Sequence, residues 1–362
     1  MGMNGNNEPR IILAIADSKV GGGQAVVLRL AKYLNDNEDI LVLCPKGNLY
    51  ERLLESGIPV SETNFGLMNV LSIRRKLAIL GNITINTHLL GTTFWTALSL
   101  LFNNKVKVVA TLLNPIIYEN ITVVKKVFFP VIIKLLSLKI KMFVGVSEDI
   151  CASIKIYTDN IPIHYLPTSI NVDDFPYCGV DISKSNYKIA IVGRLSYAKG
   201  HKYFISAANL ICNIRSDIVF YIIGDGELKE ELKKKVDKLN LTSKFIFTGY
   251  LKDMKPVLRT VDIVIMPSLF EGIPCLLLEI MSMGIPVIAS AVGGIPSVIT
   301  SGHNGILVSP RNEKEICYEV IKLLEDKVLR KNISLNARTL IENDYNSDIV
   351  YKDYTNILNI EK

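Results

Sequence analysis

The sequence predicts an α/β protein of two doubly wound domains, each a parallel sheet covered by helices, the two facing each other across a cleft. Three observations lead there. Short all-apolar runs, such as those at 11–16 and 218–223, alternate with amphipathic helical stretches along the chain. The runs end in glycine-marked loops, which is where open α/β sheets bind ligands. A length of 362 residues exceeds what one hydrophobic core holds, so two domains are expected.

In order, residues 11–16 predict the first strand, followed by Gly21-Gly22-Gly23 and a helix over 25–34. Two readings of this glycine loop are open. Either its N–H groups approach a phosphate or sugar at the helix N-terminus, or the turn needs positive φ. Strands at 40–44, 60 and 83–87 alternate with helices over 49–56 and 72–80, and His88 stands just beyond the third of these strands. At that position a histidine either donates to a sugar hydroxyl or reacting centre, or is structural. A helix over 93–102 and a strand over 106–111 lead to the apolar segment 123–138, which is broken by Pro130 and carries Lys125, Lys126 and Lys134, with Lys139 and Lys141 just beyond. It reads either as a surface resting on an anionic bilayer or as a helix covering the sheet, and is a poor membrane span. A strand over 141–146 ends at Ser147, a helix cap, and the pattern dissolves over 167–186, where the domain linker is placed.

The second series starts with a strand at 188–192 and the loop GRLSYAKG, in which Arg194 and Lys199 flank a helix N-terminus. That arrangement suits a diphosphate, although two cations in a loop are also ordinary surface charge. Strands at 218–223, 245–247 and 262–266 follow; the first ends in Gly224-Asp225-Gly226 and the second in Thr248-Gly249-Tyr250-Leu251. Beyond the third, Glu271 lies in a loop and Glu279 follows after seven residues, on the next helix. Two carboxylates so spaced lie about ten ångströms apart along a helix axis and can serve one extended ligand. Strands at 286–290 and 305–308, a helix over 313–324 and a charged helical tail over 331–362 complete the chain.

Composition narrows the partners. With 49% hydrophobic and 21% charged residues the chain is globular. Its net charge of +6, from 41 basic and 35 acidic residues, suits anionic small molecules or an anionic membrane surface and makes no case for nucleic acid. Six cysteines without a CxxC pair argue against a zinc site or a disulfide framework and for a reducing compartment. The start MGMNGNNEPR shows no secretory signal, so a cytoplasmic protein is expected.

The segments GGGQAVVLRLA, VGRLSYAKG, IIGDGELKEEL, FTGYL, PSLFEGIPCLLLEIMSMGIPVIASAVGGIPSVI and GHNGILVSP stand in the order and spacing of retaining glycosyltransferase family 4, of GT-B fold, and the chain resembles that family over nearly its whole length. The resemblance implies two facing Rossmann-like domains with an interdomain cleft: residues 1–170 on the acceptor side, 171–345 binding the nucleotide-sugar donor, and a C-terminal helix over 346–362 returning to the first. It implies that Arg194 and Lys199 hold the donor diphosphate, that Glu279 accepts from the nucleotide ribose, and that Glu271 faces the donor sugar. Gly272 and Ile273 add backbone groups to the sugar pocket, Gly224 and Asp225 belong to the donor loops, and Tyr250 and Leu251 flank the base. Gly22 and Gly23 approach from the first domain, and His88 matches a histidine near the sugar. The catalytic residues so implied are Glu271 and His88, the donor is a UDP- or GDP-sugar, and no metal or other cofactor is expected. The acceptor expected is a saccharide or a lipid-linked precursor, with peripheral membrane contact through 123–141. Two departures stand out: Thr168-Ser169-Ile170-Asn171 replaces the N-G-[IV]-D linker motif, and Gln24 occupies a position where many relatives have Glu.

Overall fold

The computed structural model describes residues 10–19, 21–78, 81–103, 105–113, 134, 136, 138–158, 160–181 and 183–358. The expected bilayer segment 123–141 thus lies mostly outside the described residues, Lys125 and Lys126 included. The chain divides into two units: residues 1–169 with 347–362, and residues 170–346.

The first unit is built on a parallel sheet of β1 (Ile11–Ile15), β2 (Ile40–Cys44), β3 (Val60–Glu62), β4 (Ile83–His88), β5 (Val106–Leu112), β6 (Ile140–Gly145) and β7 (Ile163–Tyr165). The strands lie in the order β3-β2-β1-β4-β5-β6-β7. β1 is buried at every position, because helices cover both faces of the sheet, and for the same reason its sequence shows no polar alternation. Helix Ser347–Leu358 is part of this unit: Val350, Tyr351, Tyr354 and Leu358 share a core with Ile11, Leu30 and Leu34. Its Tyr354 hydroxyl donates to Asn86 Oδ1 at 3.1 Å and also bonds Thr111 Oγ1, while Asn86 Nδ2 donates to Thr111 Oγ1 at 2.8 Å. A buried polar triangle thereby ties the last helix to β4 and β5.

The second unit has β8 (Tyr187–Val192), β9 (Ile218–Ile223), β10 (Phe245–Gly249), β11 (Ile263–Met266), β12 (Val287–Ser290) and β13 (Ile306–Val308), all parallel, in the order β10-β9-β8-β11-β12-β13. Alternate residues of β8 feed opposite faces. Ile189 and Ile191 join Phe204 and Phe220 in one core, whereas Ala190 and Val192 join Val264, Leu277 and Met281 in the other. Both sheets reverse their strand order once, between β1 and β4 and between β8 and β11, the topological switch points of doubly wound folds.

Two stretches differ from the sequence reading. Much of the expected linker 167–186 is packed structure of the second unit: Ile170 and Val172 are buried in its core, and the Phe175 carbonyl accepts from Ser282 Oγ and Arg338. The charged tail is two helices, Lys327–Asp344 and Ser347–Leu358, because Tyr345 and Asn346 leave the helix and Asn346 bridges to Ile170. No helix among the described residues is long and apolar enough to cross a membrane.

Candidate functional site

Most of the residues singled out in the second unit lie in the loops that follow its strands. Lys199 follows β8 and Glu271 follows β11, so they stand on either side of the switch point, and Lys199 Nζ donates to Glu271 Oε1 at 2.5 Å. The same oxygen accepts from Ser268 Oγ at 2.7 Å, a partner that sequence reasoning did not single out. Both side chains of the ion pair are mostly shielded, at 26% and 10% exposure. The Leu269 amide donates to the Ala198 carbonyl at 2.8 Å, which locks the two loops together by backbone as well.

Neighbouring loops are joined in the same way. Leu195 N donates to the Asp225 carbonyl at 3.0 Å, and Gly224 N to the Gly249 carbonyl at 3.0 Å, so the ends of β8, β9 and β10 form one surface. Gly224 has φ +139°, and a Cβ there would lie 2.0 Å from the Gly193 carbonyl oxygen. Only glycine permits that approach. The loop after β12 presses on the Glu271 loop still harder: Gly293 has φ +54°, and a Cβ on it would meet the Glu271 carbonyl oxygen at 1.7 Å. Asp225 accepts from Lys229 Nζ at 2.8 Å and from Gly226 N at 2.8 Å, and these bonds hold its carboxyl below the usual carboxylate range.

Around this surface Arg194 is exposed, Gly272 is half-buried and Ile273 is buried in the core. Glu279 lies in the second turn of helix Cys275–Ser282 and is buried. Tyr250 is exposed beyond β10, while Leu251 packs on the core. His201, which sequence reasoning reads only as the start of a helix, begins helix His201–Cys212 directly behind Lys199. Burial, then the Lys199 charge, pulls its imidazole down to about 4. Fixed amides, a helix N-terminus, an ammonium and a guanidinium beside a shielded carboxylate suit an anionic ligand with a polar, neutral extension. No group of three or more His, Cys, Asp or Glu among the described residues has the arrangement to hold a metal ion.

In the first unit Gly22 and Gly23 open helix Gly22–Asn35 after β1, and His88 ends β4, again on either side of the switch point. Positive φ is not the reason for the glycines, since none of Gly21, Gly22 and Gly23 has it. A Cβ on Gly23 would sit 3.0 Å from Leu113 Cδ1, whereas Gly22 faces open space. His88 is fully buried, neither ring nitrogen has a hydrogen-bond partner among the described residues, and burial lowers its imidazole to about 3. It is therefore neutral at physiological pH. The next residue, Leu89, has φ +71°, a strained backbone for a side chain of this kind and a further mark of this strand end that its sequence does not betray.

Comparison with known proteins is consistent with this geometry. The chain is similar to the UDP-Gal:α-D-GlcNAc-diphosphoundecaprenol α-1,3-galactosyltransferase of Escherichia coli, at 29% identity over 55% of this chain and 54% of the relative. It is also similar to an uncharacterized glycosyltransferase of Methanocaldococcus jannaschii, at 31% identity over 50% of this chain and 47% of the relative. The match spans about half the length of these curated relatives. Among solved structures, that of Anabaena HepE in complex with UDP and glucose superposes with a TM-score of 0.85, covering 98% of this chain and all of that one at 18% identity. This likeness shows the fold, which is GT-B. Residues 180–340, which carry the Lys199 and Glu271 loops, match the model of the family Glycosyl transferases group 1.

Proposed function

We propose that the protein transfers a glycosyl group from a nucleoside diphosphate sugar to an acceptor hydroxyl, with retention at the anomeric carbon. The observation that carries this reading is the Lys199–Glu271 pair at the switch point of the second unit, with Arg194 on the same loop as Lys199. Departure of the leaving group builds negative charge on the diphosphate. Lys199, Arg194 and the N-terminus of helix His201–Cys212 stabilise that charge more than they stabilise the intact donor. In this reading the reaction needs no metal, because the cations and amides supply the positive charge.

Glu271 positions the donor sugar through the carboxylate that Lys199 and Ser268 orient, and Glu279 holds the nucleotide ribose. Gly224, Asp225, Gly272, Ile273, Tyr250 and Leu251 shape the donor site, and Gly22, Gly23 and His88 are the residues assigned a role in the first unit. The donor is a UDP- or GDP-sugar: HepE was crystallised with UDP and glucose, and the E. coli relative is named for a UDP-galactose donor. That relative's diphosphoundecaprenol acceptor supports a lipid-linked, surface-polysaccharide precursor here, handled at the cytoplasmic face of a membrane.

A panel of nucleotide sugars screened by thermal shift tests donor binding, since a ligand at a hundred times its Kd adds about 2.7 kcal/mol of stability. Transfer from the selected donor to lipid-linked acceptors then tests the reaction. A sugar-nucleotide 2-epimerase would convert the donor without acceptor, and a catalytically silent GT-B subunit would bind it without transfer.

A further inference from the structure

Residues 63–147 carry ten lysines and arginines but a single acidic residue, Glu119. The excess of nine exceeds the +6 of the whole chain, so the basic character of the protein is concentrated in this stretch. Its charges stand among exposed apolar side chains. Helix Val70–Ala78 buries Ile73 and Leu77 and leaves Leu71, Arg74 and Arg75 exposed. The turn before it leaves Leu67 74% and Met68 95% exposed. Helix Leu90–Ser99 packs beside it, and just past its end Phe102 is 84% exposed, its ring centroid 5.9 Å from the Arg74 guanidinium carbon. The Asn103 carbonyl accepts from Lys139 Nζ, which brings exposed Leu138 and Lys141 to the same end.

Large apolar side chains gathered on a surface call for a cover. The charge pattern selects the cover. Apolar tips that reach the acyl boundary, with arginines and lysines level with the phosphates, are the composition of an interfacial membrane contact. Among the described residues of this stretch there is no carboxylate to repel a phosphate, and the nearest one preceding it in sequence, Glu62, lies 3.4 Å from Lys46. A second copy of the same face would bring like charges together.

We propose that the strip of the first unit formed by Leu67, Met68, Leu71, Arg74, Arg75 and Phe102 docks on an anionic phospholipid bilayer. The docking is separate from the chemistry of sugar transfer and does not depend on residues 123–133.

Sedimentation with vesicles of phosphatidylcholine, alone or with 30% phosphatidylglycerol, tests it on the full chain. Binding is expected only to the anionic vesicles and should weaken between 50 mM and 500 mM salt. Each basic residue at such a surface is worth roughly a fivefold change in partitioning, so Arg74→Gln with Arg75→Gln should lower it about twenty-fivefold. Met68→Ser with Phe102→Ser should also lower it severalfold, and both double variants should keep the parent's melting temperature because all four side chains are exposed. Equal binding to both vesicle types, or parental binding by either double variant, would overturn the proposal. So would a concentration-dependent dimer that the serine variant abolishes without any lipid binding. Vesicle binding needs no nucleotide sugar, so its failure and a failure of transfer are read separately.

Discussion

Lys199 Nζ lies 2.5 Å from Glu271 Oε1, joining two loops whose residues are 72 positions apart in the chain. On the proposed function neither side chain serves the site alone, because the ion pair holds the ammonium and the carboxylate against each other. Glu271→Ala should reduce kcat about 10²- to 10³-fold, the range seen when one electrostatic contact to a transition state is removed. Lys199→Ala should reduce kcat/KM to a similar degree. Because the two act as a unit, the double variant should lose far less than the product of the single losses. Steady-state kinetics of the three variants measures this, and multiplicative losses would show the pair to be uncoupled.

Close approach of Gly293 to the Glu271 carbonyl makes a second prediction. Gly293→Ala forces a 1.7 Å contact that only backbone movement relieves. A loss of roughly 2–4 kcal/mol is expected, which in a unit of this size is a fall of about 5–15 °C in Tm. Gly302 has φ +80°, but a Cβ added there would meet no atom within 4 Å, so Gly302→Ala isolates the backbone cost of about 1 kcal/mol. Thermal unfolding of both variants separates steric clash from conformational strain.

Acid should destabilise the protein through two buried histidines. His88 is lowered from 6.5 to about 3 and His201 from 6.5 to about 4, both chiefly by burial. The unfolded chain therefore binds protons below pH 6.5 that the folded chain refuses until pH 3–4. The stabilising contribution is complete above pH 6.5 and is lost as pH falls, at roughly 1.4 kcal/mol per pH unit for each histidine. Urea unfolding between pH 7 and 4.5 should show this slope, and His88→Gln should remove about half of it.

Tyr354 offers a test of the last helix. Tyr354→Phe leaves the buried Asn86 Oδ1 without the donor it has at 3.1 Å, a change worth about 1–3 kcal/mol. Chemical denaturation should show the first unit weakened by that amount. Ligand-induced thermal shifts for nucleotide sugars should persist.

Metal independence is open to a direct measurement. Transfer assayed in excess EDTA should stay within about twofold of the untreated rate if cations and amides alone stabilise the diphosphate. A collapse restored by added Mg²⁺ or Mn²⁺ would assign that work to a metal.

Much of the architecture was legible because parallel strands buried on both faces must be short, apolar and uninterrupted. The run at 218–223 coincides with β9, and glycines mark the loops that follow the strands. The residues of the candidate donor site were legible as types at strand ends. Their pairing was not, since the 2.5 Å contact between Lys199 and Glu271 is made by strand order, not by any local signal. Ser268 was hidden for the same reason. Ile170 to Phe175 looked like linker because a few apolar residues among Asn, Asp and Pro carry no periodicity, yet Ile170 and Val172 fill a core. The strain at Leu89 follows from the turn that the strand end must make and leaves no trace in composition.

The chain leaves the first unit after Ser169 and rejoins it at Ser347. Tyr354 thus closes on Thr111 and Asn86 across 243 and 268 positions of sequence. During synthesis the ribosome delivers every residue of the second unit before it releases the helix that completes the first. The part of the protein made first is therefore finished last, and until then the strand ends that bear Asn86 and Thr111 wait without their hydroxyl partner.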